Sequence, residues 1–314
     1  MIKKLQLMAL LSAWVLMPAQ AAAYSFVTLE IPGAIDVAAY DINDVGQVVG
    51  RFADNAGAHG FLWDGRSGLT VLDVPGATTT FALGMNEFGQ VVGAATFSFA
   101  GYTRPFVWDA VSGFATISLP NAAAASAFGV NNSGDVVGQI FDGKSHGFLR
   151  DAAGTVTLFD VPGATRTLAA GINDAGQIVG SFGNGGSSHG FLRTIAGEFI
   201  TLDPPESQWT EAAFDISVSG EIVGHFYDKA QETRQHGFVR SSDGVYSVLD
   251  VPGSTGTQSF GINAAGQIVG AYQDTGALPR LFVATPISLV PIPPTLGLLA
   301  FALAGLGLAL RRSA

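Results

Sequence analysis

The chain has 314 residues, 48% of them hydrophobic and only 13% charged, with a net charge of −10. Such a composition buries a large core and excludes intrinsic disorder, and its acidic balance excludes a phosphate backbone as partner, so no nucleic acid is expected. Cysteine is absent, which excludes a disulfide framework, a thiolate metal site and a cysteine nucleophile.

The N-terminus reads Met-Ile-Lys-Lys, then an apolar run from Leu5 to Met17, then Pro18-Ala19-Gln20-Ala21-Ala22-Ala23. A basic start, a short apolar stretch and small residues at an A-x-A site predict a secretory signal peptide over residues 1–23, helical in its apolar part, with cleavage after Ala21 or Ala23. The general secretion machinery is then the first partner of the chain. Lys3, Lys4, Arg311 and Arg312 lie in the terminal segments whereas no Asp or Glu does, so the body between them is more acidic than the whole.

Residues 24–286 carry one phrase six times: Asn43–Gly50, Asn86–Gly93, Asn131–Gly138, Asn173–Gly180, Ser217–Gly224 and Asn263–Gly270. The steps between copies are 43, 45, 42, 44 and 46 residues, a period that marks a repeat array. Each phrase opens with a polar turn and ends in an aliphatic pair plus glycine. Ten to fourteen residues later comes an apolar pair beginning with Phe61, Phe106, Phe148, Phe191, Phe238 or Phe282. Four of these follow His-Gly, at His59, His146, His189 and His236. A short apolar run then ends in a corner such as Asp73-Val74-Pro75-Gly76, and the next phrase is entered through Ala39, Ala82, Ala127, Ala169, Ala213 or Ser259.

Each repeat therefore predicts four short strands joined by Gly, Pro, Asn and Asp turns, with no helical period in the body. Four strands in a unit of this length suit a β-propeller blade better than a coil of a β-helix. The small residue before each phrase is expected to let innermost strands crowd toward an axis, making axial positions mainly Ala, Ser and Gly. Phe26–Gly33 matches the fourth segment of a repeat, and the last copy stops at its third, Leu281-Phe282-Val283. The predicted fold is therefore all-β: a six-bladed β-propeller closed by the N-terminal strand, since an open array would leave an unpaired edge.

These phrases resemble the HAF-repeat family of extracellular bacterial proteins, whose units carry similar G-I-N-D-x-G-Q-I-V-G and H-G-F-L runs. Gly171–Gly180 and His189–Leu192 match it best. The resemblance implies an exported repeat protein and brings no established activity.

The motifs read as scaffold. Asn-Asp-x-Gly could suggest a calcium loop, but no copy continues with alternating Asp or Asn and a distal Glu, and turn chemistry explains it. One His-Gly histidine per blade cannot converge on one ion, so no metal, no cofactor and no catalytic set is expected. The fifth copy departs furthest, with Ser217 for Asn and the longest, most charged loop, Tyr227–Arg234. Trp209, Tyr227, Tyr102 and Tyr272 are the candidate ligand-binding residues, able to stack on a sugar ring or else to serve as ordinary packing aromatics.

The C-terminal segment, 287–314, holds Val290-Pro291-Ile292-Pro293-Pro294, an apolar stretch from Leu296 to Leu310, then Arg311-Arg312. With Thr295 and the arginine stems it predicts a short hydrophobic helix that holds the chain in a membrane before processing. Its layout resembles the PEP-CTERM sorting signal of Gram-negative bacteria, with Val290, Pro291, Pro293, Arg311 and Arg312 as the matching residues and Ile292 where the family carries Glu. The resemblance implies exosortase as a partner and a cell-surface or extracellular address. The expected function is a non-catalytic binding or matrix component associated with extracellular polysaccharide. The alternative is a propeller hydrolase or lactonase with a metal at the channel mouth.

Overall fold

The computed structural model describes residues 23–97, 102–119, 122–230, 233–275 and 278–287. The predicted signal peptide apart from Ala23, the predicted C-terminal hydrophobic helix and the sorting residues Val290, Pro291, Pro293, Arg311 and Arg312 lie outside them. Among the described residues there are strands and no helix, hence none long and apolar enough to cross a membrane.

The chain begins with β1 (Tyr24–Leu29). The first set follows as β2 (Asp36–Ile42), β3 (Val48–Ala53), β4 (Ala58–Asp64) and β5 (Gly68–Leu72). The second is β6 (Thr79–Met85), β7 (Val91–Thr96), β8 (Thr103–Asp109) and β9 (Gly113–Thr116). The third is β10 (Ala124–Val130), β11 (Val136–Phe141), β12 (Ser145–Arg150) and β13 (Val156–Phe159). The fourth is β14 (Arg166–Ile172), β15 (Ile178–Asn184), β16 (Ser187–Arg193) and β17 (Phe199–Leu202). The fifth is β18 (Ser207–Ile216), β19 (Ile222–Asp228), β20 (Gln235–Arg240) and β21 (Tyr246–Leu249). The sixth is β22 (Gly256–Ile262), β23 (Ile268–Gln273) and β24 (Arg280–Pro286).

Within each set, neighbours in sequence pair antiparallel. The sixth set takes its fourth strand from the other end of the chain: β1 pairs antiparallel with β24, from Tyr24 opposite Pro286 to Leu29 opposite Leu281. Apolar side chains fill the spaces between sets. Ile42, Val48 and Phe61 of the first share a buried cluster with Phe260, Val269 and Leu281 of the sixth.

The repeat phrase has a physical reason at nearly every position. Asn43 Oδ1 accepts the Gln47 N–H at 2.9 Å and its amide donates to Gln47 Oε1 at 2.8 Å, and Asn86, Asn173 and Asn263 do the same with Gln90, Gln177 and Gln267. The turn glycine between them adopts a φ that a side chain disfavours, +82° at Gly46 and +79° at Gly176. These are the turns the sequence predicts. The glycine closing each phrase has a different reason: a Cβ at Gly180 would lie 1.9 Å from the Leu168 carbonyl oxygen and 2.9 Å from the Phe191 ring. Each such glycine is the floor on which the signature Phe of the next strand lies, and Phe61, Phe148, Phe191, Phe238 and Phe282 are wholly buried there.

The histidines and the aspartates of the corners also meet, Asp73, Asp160 and Asp250 before Val-Pro-Gly and Asp203 before Pro-Pro. His59 Nδ1 lies 2.9 Å from Asp73, His146 2.9 Å from Asp160, His189 2.8 Å from Asp203 and His236 2.7 Å from Asp250. Each pair ties the start of a third strand to the corner after the fourth, within one set. These four histidines hold scaffold, as expected from their separation.

Candidate functional site

The first strands of the six sets as ordered from β2, namely β2, β6, β10, β14, β18 and β22, are innermost in that each contributes residues to one cavity of roughly 390 Å³. Its wall differs from the sequence expectation. Ala39, Ala82, Ala127, Ala169, Ala213 and Ser259 do not line it; they are buried between the sets. The register of every innermost strand slips at the next residue, for example between Ala39 and Asp41 in β2 and between Ala213 and Asp215 in β18. A bulge re-aims the extra residue, which here is Tyr40, Leu83, Phe128, Ala170, Phe214 or Phe260, and each of these lines the cavity. Small residues thus allow the sets to approach, and the bulges supply a largely aromatic wall.

The rings form a continuous surface on one side. Tyr40 meets Phe260 edge-on with centroids 5.4 Å apart, and Phe260 meets Phe214 at 4.9 Å. Behind Phe214 the imidazole of His225 stacks at 4.8 Å, with Nε2 3.1 Å from Glu211 Oε2. His225 is 1% exposed, and its Nδ1 has no hydrogen-bond partner. The Arg51 guanidinium lies behind the wall, donating to the Tyr40 hydroxyl at 3.1 Å, paired with Asp36 and set over the Phe81 ring.

One residue beyond each bulge the copies read Asp41, Gly84, Gly129, Gly171, Asp215 and Gly261. The glycines stand where neighbouring backbones almost touch: a Cβ on Gly84 would be 2.2 Å from the Phe128 carbonyl oxygen. The two aspartates staple adjacent sets instead. Asp41 accepts the N–H groups of Ile42 and, from the next set, Met85, both at 2.7 Å. Asp215 accepts those of Ile216 at 2.8 Å and, from the next set, Ile262 at 2.9 Å. Part of each carboxyl faces the cavity, yet both lie deep enough for burial to dominate. Burial pushes Asp215 up to about 6, against the pull of its N–H donors. Asp41 is raised well above the ordinary range by burial first and by the charge of Asp215 second, with Glu87 adding to it.

One mouth of the cavity is acidic. Asp44, Glu87, Asn132 and Asp174 follow the phrase asparagines, and each links to its neighbour: the Asp44 N–H donates to Glu87 at 2.8 Å, Glu87 to Asn132 at 3.0 Å, and Asn132 to Asp174 at 2.8 Å. The Ala264 N–H donates to Asp44 at 2.7 Å, linking the sixth set to the first. Burial, then Asp44 and Asp174, raise Glu87 above its usual value. Among the described residues, no Lys, Arg or His lines the cavity, and no group of three or more His, Cys, Asp or Glu side chains is arranged to hold a metal ion.

The four candidate aromatics do not form one site, and none lines the cavity. Trp209 and Tyr227 are cross-strand partners in the fifth set, with rings 5.0 Å apart. Gln235 donates to the Tyr227 hydroxyl at 2.7 Å and to Glu211 at 3.2 Å, so this pair borders a polar patch. Tyr272 sits in the sixth set with its hydroxyl 3.1 Å from Thr28 on β1. Tyr102 stands apart before β8, more than half exposed. Sequence reasoning missed Asp41, Asp215, Glu211, His225 and the bulged aromatics. Comparing the copies at the position two before each phrase, where only two carry a side chain, would have singled out the aspartates.

No family model and no curated protein matches the chain. Solved structures similar to it include TolB from Acinetobacter baumannii, with TM-score 0.54 and 12% identity over 81% of this chain and 64% of that one. A gluconolactonase from Xanthomonas campestris gives 0.52 and 10%, over 84% of this chain and 90% of its own. Virginiamycin B lyase from Staphylococcus aureus gives 0.51 and 12%, over 84% and 99%. These neighbours are β-propeller proteins. At such identity the likeness speaks to fold alone.

Proposed function

We propose that this chain is an exported six-bladed β-propeller, closed by its N-terminal strand, that works as a non-catalytic binding component at the cell surface or in the extracellular matrix. The observation that carries the non-catalytic reading is where the polar side chains of the motifs are engaged. The His-Gly histidines bond the corner aspartates, the phrase asparagines bond their own turns, and every oxygen of Asp41 and Asp215 accepts a main-chain N–H. Such groups hold a scaffold rigid, and binding residues then sit on its loops and mouth. The pairing of β1 with β24 and the cluster shared by the first and sixth sets support closure. Export and exosortase processing rest on the two terminal signals in the sequence.

The Trp209–Tyr227 pair, flanked by Glu211 and Gln235, is the proposed contact for an extracellular polysaccharide, because a sugar face stacks on rings while its hydroxyls bond amides and carboxylates. Tyr102 and Tyr272 would be separate, weaker contacts. On an array of extracellular polysaccharides the purified body should bind at least one polymer, and Trp209→Ala should weaken that binding about tenfold, the loss of ~1.4 kcal/mol. Background signal on every polymer, or an unchanged Trp209→Ala, counts against this role.

The second reading is a propeller hydrolase or lactonase with a metal at the acidic mouth of Asp44, Glu87 and Asp174; against it, among the described residues no three such side chains are arranged around one ion. Metal analysis of the purified protein separates the two. One ion per chain, lost with Glu87→Gln, would reverse the ranking.

A further inference from the structure

We propose that the central cavity binds a small organic ammonium ion with an apolar body. This inference goes beyond the matrix-binding reading and does not depend on it, because it concerns the cavity and not the outer loops.

Three independent features converge on that ligand class. The first is size and shape: roughly 390 Å³ enclosed by all six innermost strands is within the range of small-molecule sites. The second is the wall. Tyr40, Phe128, Phe214 and Phe260 are turned inward by bulges, and ring faces attract a cation while the ring bodies desolvate an apolar group. The third is charge. Asp41 and Asp215 face the space from inside, Asp44, Glu87 and Asp174 surround one mouth, and no basic side chain among the described residues lines it. Arg51, set over the Phe81 ring, is held behind the wall by Asp36 and the Tyr40 hydroxyl.

The same features reject other occupants. Anions meet five carboxyl groups. A bare divalent ion wants six or more oxygen ligands, whereas each oxygen of Asp41 and Asp215 already takes a main-chain N–H, and among the described residues no three acidic or imidazole side chains are arranged around one ion. A neutral apolar molecule would fill the space but leave the negative charge that the Asp41 and Asp215 pair shares without a counter-charge. An ammonium head near the aspartates, with its carbon body against the rings, satisfies both halves of the wall.

Ala170 provides the test. It occupies the bulge position where three other copies carry Phe, so Ala170→Phe puts a ring into the cavity in a backbone geometry the fold already uses. Calorimetric titration of the purified body compares benzyltrimethylammonium, its neutral isostere neopentylbenzene, and calcium chloride. The expected result is one saturable site for the cation, at least about tenfold weaker binding of the isostere, and no calcium site. Ala170→Phe should abolish cation binding while melting no lower than the parent. Should Ala170→Phe fail to fold, Asp215→Asn decides, with an expected loss of at least about fivefold for the cation and no change for the isostere. The proposal is overturned by no saturable cation binding, by equal affinity for the isostere, by calcium taking the site, or by full binding in a folded Ala170→Phe or Asp215→Asn.

Discussion

Gly180→Ala should destabilise the protein by about 4 kcal/mol and lower its melting temperature by roughly 10 °C. The added methyl would sit 1.9 Å from the Leu168 carbonyl oxygen and 2.9 Å from the Phe191 ring. One obstacle is backbone in a paired strand and the other a wholly buried ring, so neither yields by a rotamer change. Gly176→Ala, four residues earlier, is the internal comparison. It too replaces a phrase glycine, but nothing lies within 4 Å of the new Cβ, and the cost is only that of holding φ near +79°. That strain amounts to about 1–2 kcal/mol. Urea denaturation of both variants checks the difference. Equal losses would mean that the closing glycine serves the turn and not the Phe.

Stability should peak between about pH 4 and 5 and then fall by roughly 3 kcal/mol toward neutrality. Asp215 is raised to about 6 when folded, whereas the unfolded carboxyl titrates near 3.9. The folded state therefore holds its proton more tightly, which adds stability in full below the unfolded value. That stability is lost as pH rises through about 6. Asp41 is raised by burial and by Asp215, so the two titrate as a pair and steepen the same limb. His59 adds to it above pH 6.5: burial alone would lower its imidazole, but bonds to Asp73 and Asp54 outweigh that and raise it. At the acid end the sign reverses. Glu211 is lowered, chiefly by its bond to His225, and the turn carboxyls of Asp64 and Asp109 are lowered by main-chain N–H groups. Their contribution is present above the unfolded value and is lost as pH falls below about 4. Thermal melts from pH 3 to 8 should trace this asymmetric dome, and Asp215→Asn should flatten its neutral limb. An unchanged slope in that variant would remove the buried pair as the cause.

Much of the architecture was legible because the repeat states its own chemistry six times. Asn, Gly and Gln mark each hairpin, the closing glycine and the later Phe mark a contact, and the orphan strand at Phe26 implies a partner at Phe282. The segments predicted as strands are strands, and the strand near the N-terminus pairs with the last one. The centre was not legible for a specific reason. Side chains alternate along a regular strand, so small residues at Ala39 and its equivalents suggest a small-residue axis. A bulge breaks that alternation by one residue and presents Tyr40 or Phe128 instead. No turn residue announces such a bulge. The candidate aromatics were found by composition, which cannot tell a neighbouring pair such as Trp209 and Tyr227 from residues in different sets such as Tyr102 and Tyr272.

Closure of the ring by β1 is the claim on which the rigid scaffold, the shared first–sixth core and the enclosed cavity all depend. The chain has no cysteine, so one engineered pair gives an unambiguous signal. Val27 and Val283 are directly opposite across β1 and β24. In the Val27→Cys, Val283→Cys double variant, mild oxidation should give an intramolecular disulfide in nearly every monomer and raise the melting temperature, because the link closes a loop of more than 250 residues. Two free thiols under the same oxidant, or disulfides only between chains, would contradict it.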